Sequence, residues 1–342
     1  GARRRDPAAL ESWRTRLAVE IEHHRRVQHL FFQQWGALRA RCAAAGIRIM
    51  GDLPIYVAHD SADVWAEPKY FKLDDRGRPL VQAGVPPDYF SATGQRWGNP
   101  IYDWDAMRAD GFAWWIRRMR AMFAHFDVVR IDHFRGFEAF WEVPGQDTTA
   151  VNGRWVKAPG DELFTAITRA LGPLPIVAEN LGLITPEVEA LRAKFGYPGM
   201  SILQFAFGSD GNANDFQPHT YPRSRVVYTG THDNDTTVGW WHSTPGGGST
   251  RTQADIDAEQ AFARRYLGTD GSEIHWVLIR AVLASVADTA LIPMQDLLGL
   301  GSEARMNLPG RQGGNWGFRF TWDQLTPDIP RRLRELVDLY QR

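Results

Sequence analysis

The sequence predicts an α/β fold of the (β/α)8 barrel kind. Short apolar runs that read as buried parallel strands alternate with helical segments along most of the chain. Three of those runs end in a carboxylate: Val128-Val129-Arg130-Ile131-Asp132, Ile176-Val177-Ala178-Glu179 and Val226-Val227-Tyr228-Thr229-Gly230-Thr231-His232-Asp233. In parallel β/α folds the C-terminal strand ends form the functional face, so acids delivered there converge on one pocket even when distant in sequence. The pattern supplies six strands, so a barrel of eight implies that the first two are missing. An open doubly wound sheet needs no missing strands; it would usually carry a glycine-rich phosphate turn, and none with that spacing is present.

Asp6 and Pro7 form an N-cap and first-position proline that open a helical region with Leu10, Trp13, Leu17 and Ile21 on one face. That region is expected to reach Ala45, with a break near Gly36, before Gly46 stops it. Residues 47–50 read as the first visible strand, ending in Gly51-Asp52-Leu53-Pro54. Residues 56–102 are rich in glycine, proline and aromatics and are expected to form an inserted substrate-binding loop region. A helix over 111–126 leads into the Asp132 strand. Another over 161–171, N-capped by Asp161, leads into the Glu179 strand, and Thr185-Pro186-Glu187 opens a third. Residues 201–205 and 225–230 are the next strands. The loop 245–250 precedes helices over 252–266 and 272–287, and a strand over 290–294 ends in Gln295-Asp296. A glycine- and asparagine-rich loop to Phe320 and a helix from Thr326 complete the chain, expected to be a single catalytic domain over 1–342 that lacks its N-terminal part.

The 342 residues carry a net charge of −1, which gives no electrostatic reason to expect a nucleic-acid or membrane-surface partner. Cys42 is the only cysteine, so no intrachain disulfide or cysteine metal cluster is possible, and a reducing cytoplasm fits. The start, Gly-Ala-Arg-Arg-Arg, is neither a signal peptide nor a Met start, so the chain is expected to begin inside a longer protein. Of 14 Trp, those beside or close to Gly, Pro, Asn or Asp (Trp65, Trp97, Trp104, Trp155, Trp240 and Trp316) suggest surfaces for stacking sugars, with interface packing as the competing reading.

Three acids without a cysteine or histidine ligand cluster favour glycosyl transfer over metal hydrolysis. Retaining chemistry pairs a carboxylate nucleophile with a carboxylic acid that protonates the leaving oxygen. Asp132 suits the first role, because neighbouring Arg130 favours its ionised form. Glu179, at the end of an apolar strand, suits the second. Asp233 would hydrogen-bond sugar hydroxyls. His133 and His232 flank two of these acids and read as substrate contacts, whereas Asp52, Asp63, Asp88 and Glu142 are less specific and compatible with loop caps.

The runs Gly51-Asp52-Leu53-Pro54-Ile55-Tyr56, Gly84-Val85-Pro86-Pro87-Asp88, Gly94-Gln95-Arg96-Trp97-Gly98-Asn99-Pro100, Arg130-Ile131-Asp132-His133-Phe134-Arg135-Gly136, Ala178-Glu179-Asn180-Leu181-Gly182, Gly230-Thr231-His232-Asp233-Asn234 and Arg305-Met306-Asn307-Leu308-Pro309-Gly310 resemble the signature runs of the 4-α-glucanotransferases. This is glycoside hydrolase family 77, the amylomaltases or disproportionating enzymes, and the runs occur in that family's order. The resemblance implies an α-amylase-clan barrel with Asp132 as nucleophile, Glu179 as acid/base and Asp233 as transition-state stabiliser. It also implies sugar contacts by Arg130, His133 and His232 and a loop bearing Gln95 and Trp97 over the cleft; Asp52 is a further candidate substrate-binding residue. The implied substrates are α-1,4-glucans and maltooligosaccharides, and no cofactor or metal is implied. An α-1,4-glucan hydrolase and a non-catalytic glucan-binding fragment are the alternatives. Asn180 departs from the Asp usual in the family beside the acid/base.

Overall fold

The computed structural model describes residues 1–87, 91, 93–209, 213–246, 251–311 and 313–342. Asp88, the end of one motif above, and positions 247–250 of the glycine-rich loop lie outside the described residues. Two units, Gly1–Tyr197 and Pro198–Arg342, are described in turn.

In the first unit, α1 (Pro7–Arg16) opens as its sequence predicts, with Asp6 accepting the Ala9 N–H at 2.9 Å. The expected break near Gly36 does not occur. Helix α2 (Ala18–Ala44) runs through it, and the interruption falls at Leu17. One glycine costs a helix about 1 kcal/mol relative to alanine, too little to end a 27-residue element. Strand β1 is Met50–Pro54 rather than 47–50. The Asp127 carboxylate accepts the Ile49 N–H at 2.9 Å, and regular pairing starts only at Met50 opposite Val128. A Cβ on Gly51 would fall 2.3 Å from the Phe126 ring, so this strand can pack here only with glycine at that position.

Residues 56–102 hold α3 (Ala62–Ala66), β2 (Val81–Val85) and β3 (Gln95–Pro100). Helices α4 (Trp104–Ala109) and α5 (Ala113–His125) lead to β4 (Val128–Asp132), followed by β5 (Ala139–Pro144) and β6 (Arg154–Lys157). Helix α6 (Gly160–Leu171), β7 (Ile176–Ala178) and α7 (Pro186–Lys194) complete the unit. Helix α6 begins one residue before the expected cap, so Asp161 lies in its first turn, where its charge suits the helix dipole instead of capping it.

Strands β1, β4 and β7 form a parallel sheet in that order, with Asp52 opposite Arg130, Pro54 opposite Asp132, and Ile131 opposite Ala178. A separate antiparallel sheet, β3-β2-β5-β6, is not foreshadowed by the apolar pattern. Tyr102, Trp115, Phe134, Phe137, Phe140 and Phe164 are fully buried between these elements, each contributing about 1.5–3 kcal/mol of burial free energy if treated like Phe.

In the second unit, β8 (Gly199–Ile202) ends earlier than expected, because residues 203–207 turn into a 3-10 helix. Strand β9 (Arg225–Tyr228), α8 (Thr237–Trp241), α9 (Gln253–Leu267), α10 (Ile274–Ala284) and β10 (Thr289–Leu291) follow. Pro293 cuts that last strand short of Met294 and begins α11 (Met294–Leu297), and α12 (Asp328–Leu339) closes the chain. The three strands are parallel in the order β10-β9-β8, with Ile202 and Leu291 both level with Tyr228. Leu203, Val227, Trp240, Leu278 and Val282 pack its core. Trp240 here and Trp104 in the first unit are therefore core residues and not exposed stacking surfaces. No helix among the described residues is long and apolar enough to cross a membrane.

Candidate active site

In the first unit the parallel register decides which side chains meet. Side chains alternate along β4, so Arg130 and Asp132 share a face, and the register sets Asp52 of β1 beside them. The guanidinium divides between the two acids: Nη1 donates to both Asp52 carboxylate oxygens at 2.7 Å, and Nη2 donates to Asp132 Oδ1 at 2.7 Å. Arg130 is only 7% exposed. Burial opposes its charge, but Asp132 and Asp52 outweigh that and raise its pKa. The planar fork of arginine suits this double pairing, whereas a lysine would offer one point charge.

Glu179 follows β7 and continues its ladder, its N–H donating to the Ile131 carbonyl at 3.0 Å. Its carboxylate accepts the backbone N–H of His133 at 2.7 Å and that of Leu181 at 2.7 Å. Burial pushes its carboxyl up to about 7, Asp132 adds to the rise, and Arg130 and the two amides oppose it. His133 is what aims one of those amides: it sits in the left-handed region, φ 52° and ψ 50°, which an L-residue other than glycine, Asn or Asp seldom adopts. Burial, with Arg135, lowers its imidazole pKa to about 3, so the ring is neutral. Trp97 of β3 meets that ring edge-to-face with centroids 4.8 Å apart, and its indole N–H donates to Gln95 Oε1 at 3.2 Å. Asp52, Gln95, Trp97, Arg130, Asp132, His133 and Glu179 thus form one connected cluster. Asn180, next to Glu179, donates to Glu189 at 2.6 Å.

His232 and Asp233 lie in the second unit, on the loop between β9 and α8. The Asp233 carboxylate accepts the Asn307 amide at 2.6 Å and lies 3.3 Å from His232 Nε2, while Arg305 donates to the Asp233 carbonyl at 2.6 Å. Thr231 and Asn234 bond each other within the loop, Asn234 Oδ1 accepting the Thr231 N–H at 2.9 Å. Trp316 faces the His232 ring at 5.2 Å with a positive φ of 60°. Arg305 and Asn307 belong to a run picked out in the sequence, but their hold on Asp233 is a long-range contact with no local signal. Glu142 instead braces the antiparallel sheet, buried between Lys72 at 2.8 Å and Arg154 at 2.9 Å. Asp63 lies in the first turn of α3.

The profile of the family described as 4-alpha-glucanotransferase matches residues 1–326. A 4-alpha-glucanotransferase of Thermus thermophilus is 53% identical over 349 residues, covering 99% of this chain and 67% of that protein. One from Synechocystis is 54% identical over 342 residues, covering 99% of this chain and 65% of its own length. The solved amylomaltase from Streptococcus agalactiae in complex with acarbose is 41% identical, with a TM-score of 0.92, covering 99% of this chain and 66% of that one. An amylomaltase from Corynebacterium glutamicum, at 21% identity and a TM-score of 0.73, shares the fold. The chain spans about two thirds of the length of the first relatives it matches. The sequence motifs, the mixed α/β architecture and these likenesses agree: the chain belongs to the 4-alpha-glucanotransferase family.

Proposed function

We propose that this chain carries the catalytic carboxylates of a 4-alpha-glucanotransferase, which moves α-1,4-glucan segments onto the 4-hydroxyl of glucose or a maltooligosaccharide with retention. The observation that carries this reading is the coupled pair in the first unit, Asp132 on the Arg130 guanidinium and Glu179 raised to about 7. Glu179 protonates the leaving oxygen while Asp132 attacks the anomeric carbon and forms a glycosyl ester. Esterification removes the Asp132 charge that raises Glu179, so the same carboxyl becomes more acidic and is ready to take the proton of the incoming 4-hydroxyl. Asp233, with its Asn307 and His232 neighbours, binds sugar hydroxyls as positive charge develops on the ring. Gln95, Trp97, His133 and Asp52 contact the sugars, and the chemistry requires no cofactor.

On this reading the six parallel strands belong to a (β/α)8 barrel of the α-amylase clan, and residues 56–102 form an inserted substrate-binding region. The first half of that proposal draws on the two all-parallel sheets and the second on the contact of Trp97 with His133.

Incubating the full-length protein with maltotriose tests the activity. Longer oligomers together with glucose are the expected products. Glucose and maltose alone would make it a hydrolase, in which water intercepts the same ester, and binding without turnover would make it a glucan-binding module.

A further inference from the structure

Beyond the acids discussed above, the second unit contains a carboxylate that is less exposed to solvent than any of them. Asp296 of α11 is 1% exposed. Its Oδ1 accepts the backbone N–H of Thr237 at 2.7 Å, and its Oδ2 accepts the hydroxyls of Thr229 at 2.6 Å and Thr237 at 2.8 Å. Thr229 is the first residue after β9, and Thr237 is the first residue of α8. Between them runs the loop that bears His232 and Asp233, so both of its ends are fastened to one side chain.

The neighbouring Gln295 has a matching contact. Its amide donates to the Ala304 carbonyl at 3.2 Å, directly before Arg305, which holds the Asp233 carbonyl. Two consecutive polar residues of a four-residue helix therefore anchor both segments that touch Asp233. Burying a carboxylate is costly, and packed apolar side chains commonly stabilise a fold at least as well. A carboxylate accepting three donors from the two ends of one loop, however, fixes geometry in a way that an apolar side chain does not.

We propose that Asp296 is a positioning residue for Asp233, its carboxylate closing the base of the 229–237 loop so that the loop presents Asp233 in a single orientation. This rests on the reading that Asp233 takes part in glycosyl transfer. The chemistry distinguishes two substitutions. In Asp296→Asn the amide oxygen still accepts the Thr237 N–H, and the NH2 donates to the two hydroxyls, which then serve as acceptors. In Asp296→Ala all three donors lose their partner.

The test uses the full-length protein and two readouts. In hydrogen exchange, amides of the 229–237 segment in Asp296→Ala are expected to exchange at least tenfold faster, with β8 and α9 unchanged. In maltotriose turnover, kcat of Asp296→Ala is expected to fall on the order of 10- to 100-fold, as a misplacement of about 1 Å does, with KM moving less than about threefold. Asp296→Asn is expected to stay within about threefold of wild type on both readouts. Unchanged exchange in Asp296→Ala overturns the proposal. So does faster exchange with kcat per folded molecule retained, or an Asn variant as impaired as the Ala one, which would point to charge and not geometry. If Asp296→Ala does not fold, the isosteric Thr229→Val removes one of the three bonds, and loop exchange equal to wild type overturns the proposal. A wild-type protein that leaves maltotriose untouched refutes the transferase reading alone, since the exchange readout still decides whether Asp296 holds the loop.

Discussion

In Gly1–Tyr197 the candidate acids are coupled by charge: Asp132 and Asp52 share one buried guanidinium, and Glu179, bonded by two backbone amides, feels both that cation and the Asp132 anion. In Pro198–Arg342 the direct partners of Asp233 include a carboxamide and, through its own carbonyl, Arg305, and its loop is tied off by threonines on Asp296. The first arrangement sets protonation, because each charge added or removed changes the others' equilibria. The second sets position, because the Asn307 amide, the Arg305 guanidinium on the backbone carbonyl and the threonines on Asp296 fix direction through hydrogen bonds. A group that exchanges a proton or a covalent bond needs the former. A group that orients hydroxyls needs the latter.

The strongest test of this contrast is Asp132→Asn, which keeps the shape and removes the nucleophile. Turnover is expected to fall roughly 10⁴- to 10⁶-fold, with thermal stability and glucan binding largely kept; a rate near wild type would remove Asp132 from the chemistry. Next comes Asn307→Ala in the second unit. Loss of one hydrogen bond to a carboxylate is worth about 1.5–3 kcal/mol, so kcat is expected to fall on the order of 10- to 100-fold. The pH profile should keep its shape, because no charge changes; a displaced profile would show that Asn307 acts on protonation after all.

That profile provides the third test. Glu179 must carry its proton to act as an acid, and its carboxyl sits at about 7, so kcat should decline as pH rises through that value. In Asp132→Asn the anion that raises Glu179 is gone, and a carbon-13 titration of its carboxyl should give a value below that of wild type. An equal or higher value would contradict the coupling. The smallest effect lies outside both clusters. Thr252 forms a capping box with Asp255 at the start of α9, and Thr252→Ala should cost about 1 kcal/mol in denaturant unfolding while leaving turnover alone.

Much of this arrangement can be read from the sequence where a strand is short, apolar and ends in an acid. The juxtaposition of Arg130 with Asp132, and the placing of Glu179 at the end of β7, follow from that pattern alone. Where a strand is made of other residues, the pattern fails. Strand β1 contains Gly51, Asp52 and Pro54, so apolar periodicity favours the preceding residues 47–50, whereas regular pairing with β4 begins at Met50 and the Ile49 N–H goes to the Asp127 side chain. The antiparallel sheet includes Arg96, Gly98, Pro100, Glu142 and Pro144, residues that weaken a strand signal locally and are sustained by partners distant in sequence. The contacts of Asp233 with Asn307 and of Thr229 with Asp296 span 74 and 67 residues, and no window along the chain contains both partners.

The division of Arg130 between two acids has a consequence for the covalent step. On the mechanism proposed above, Asp132 gives up its charge when it becomes an ester, while Glu179, having protonated the leaving oxygen, takes on a negative charge. Arg130 meanwhile keeps a direct ion pair, because Asp52 lies 2.7 Å from its other nitrogen. On that mechanism the guanidinium stays anchored on Asp52 whether Asp132 is free or glycosylated.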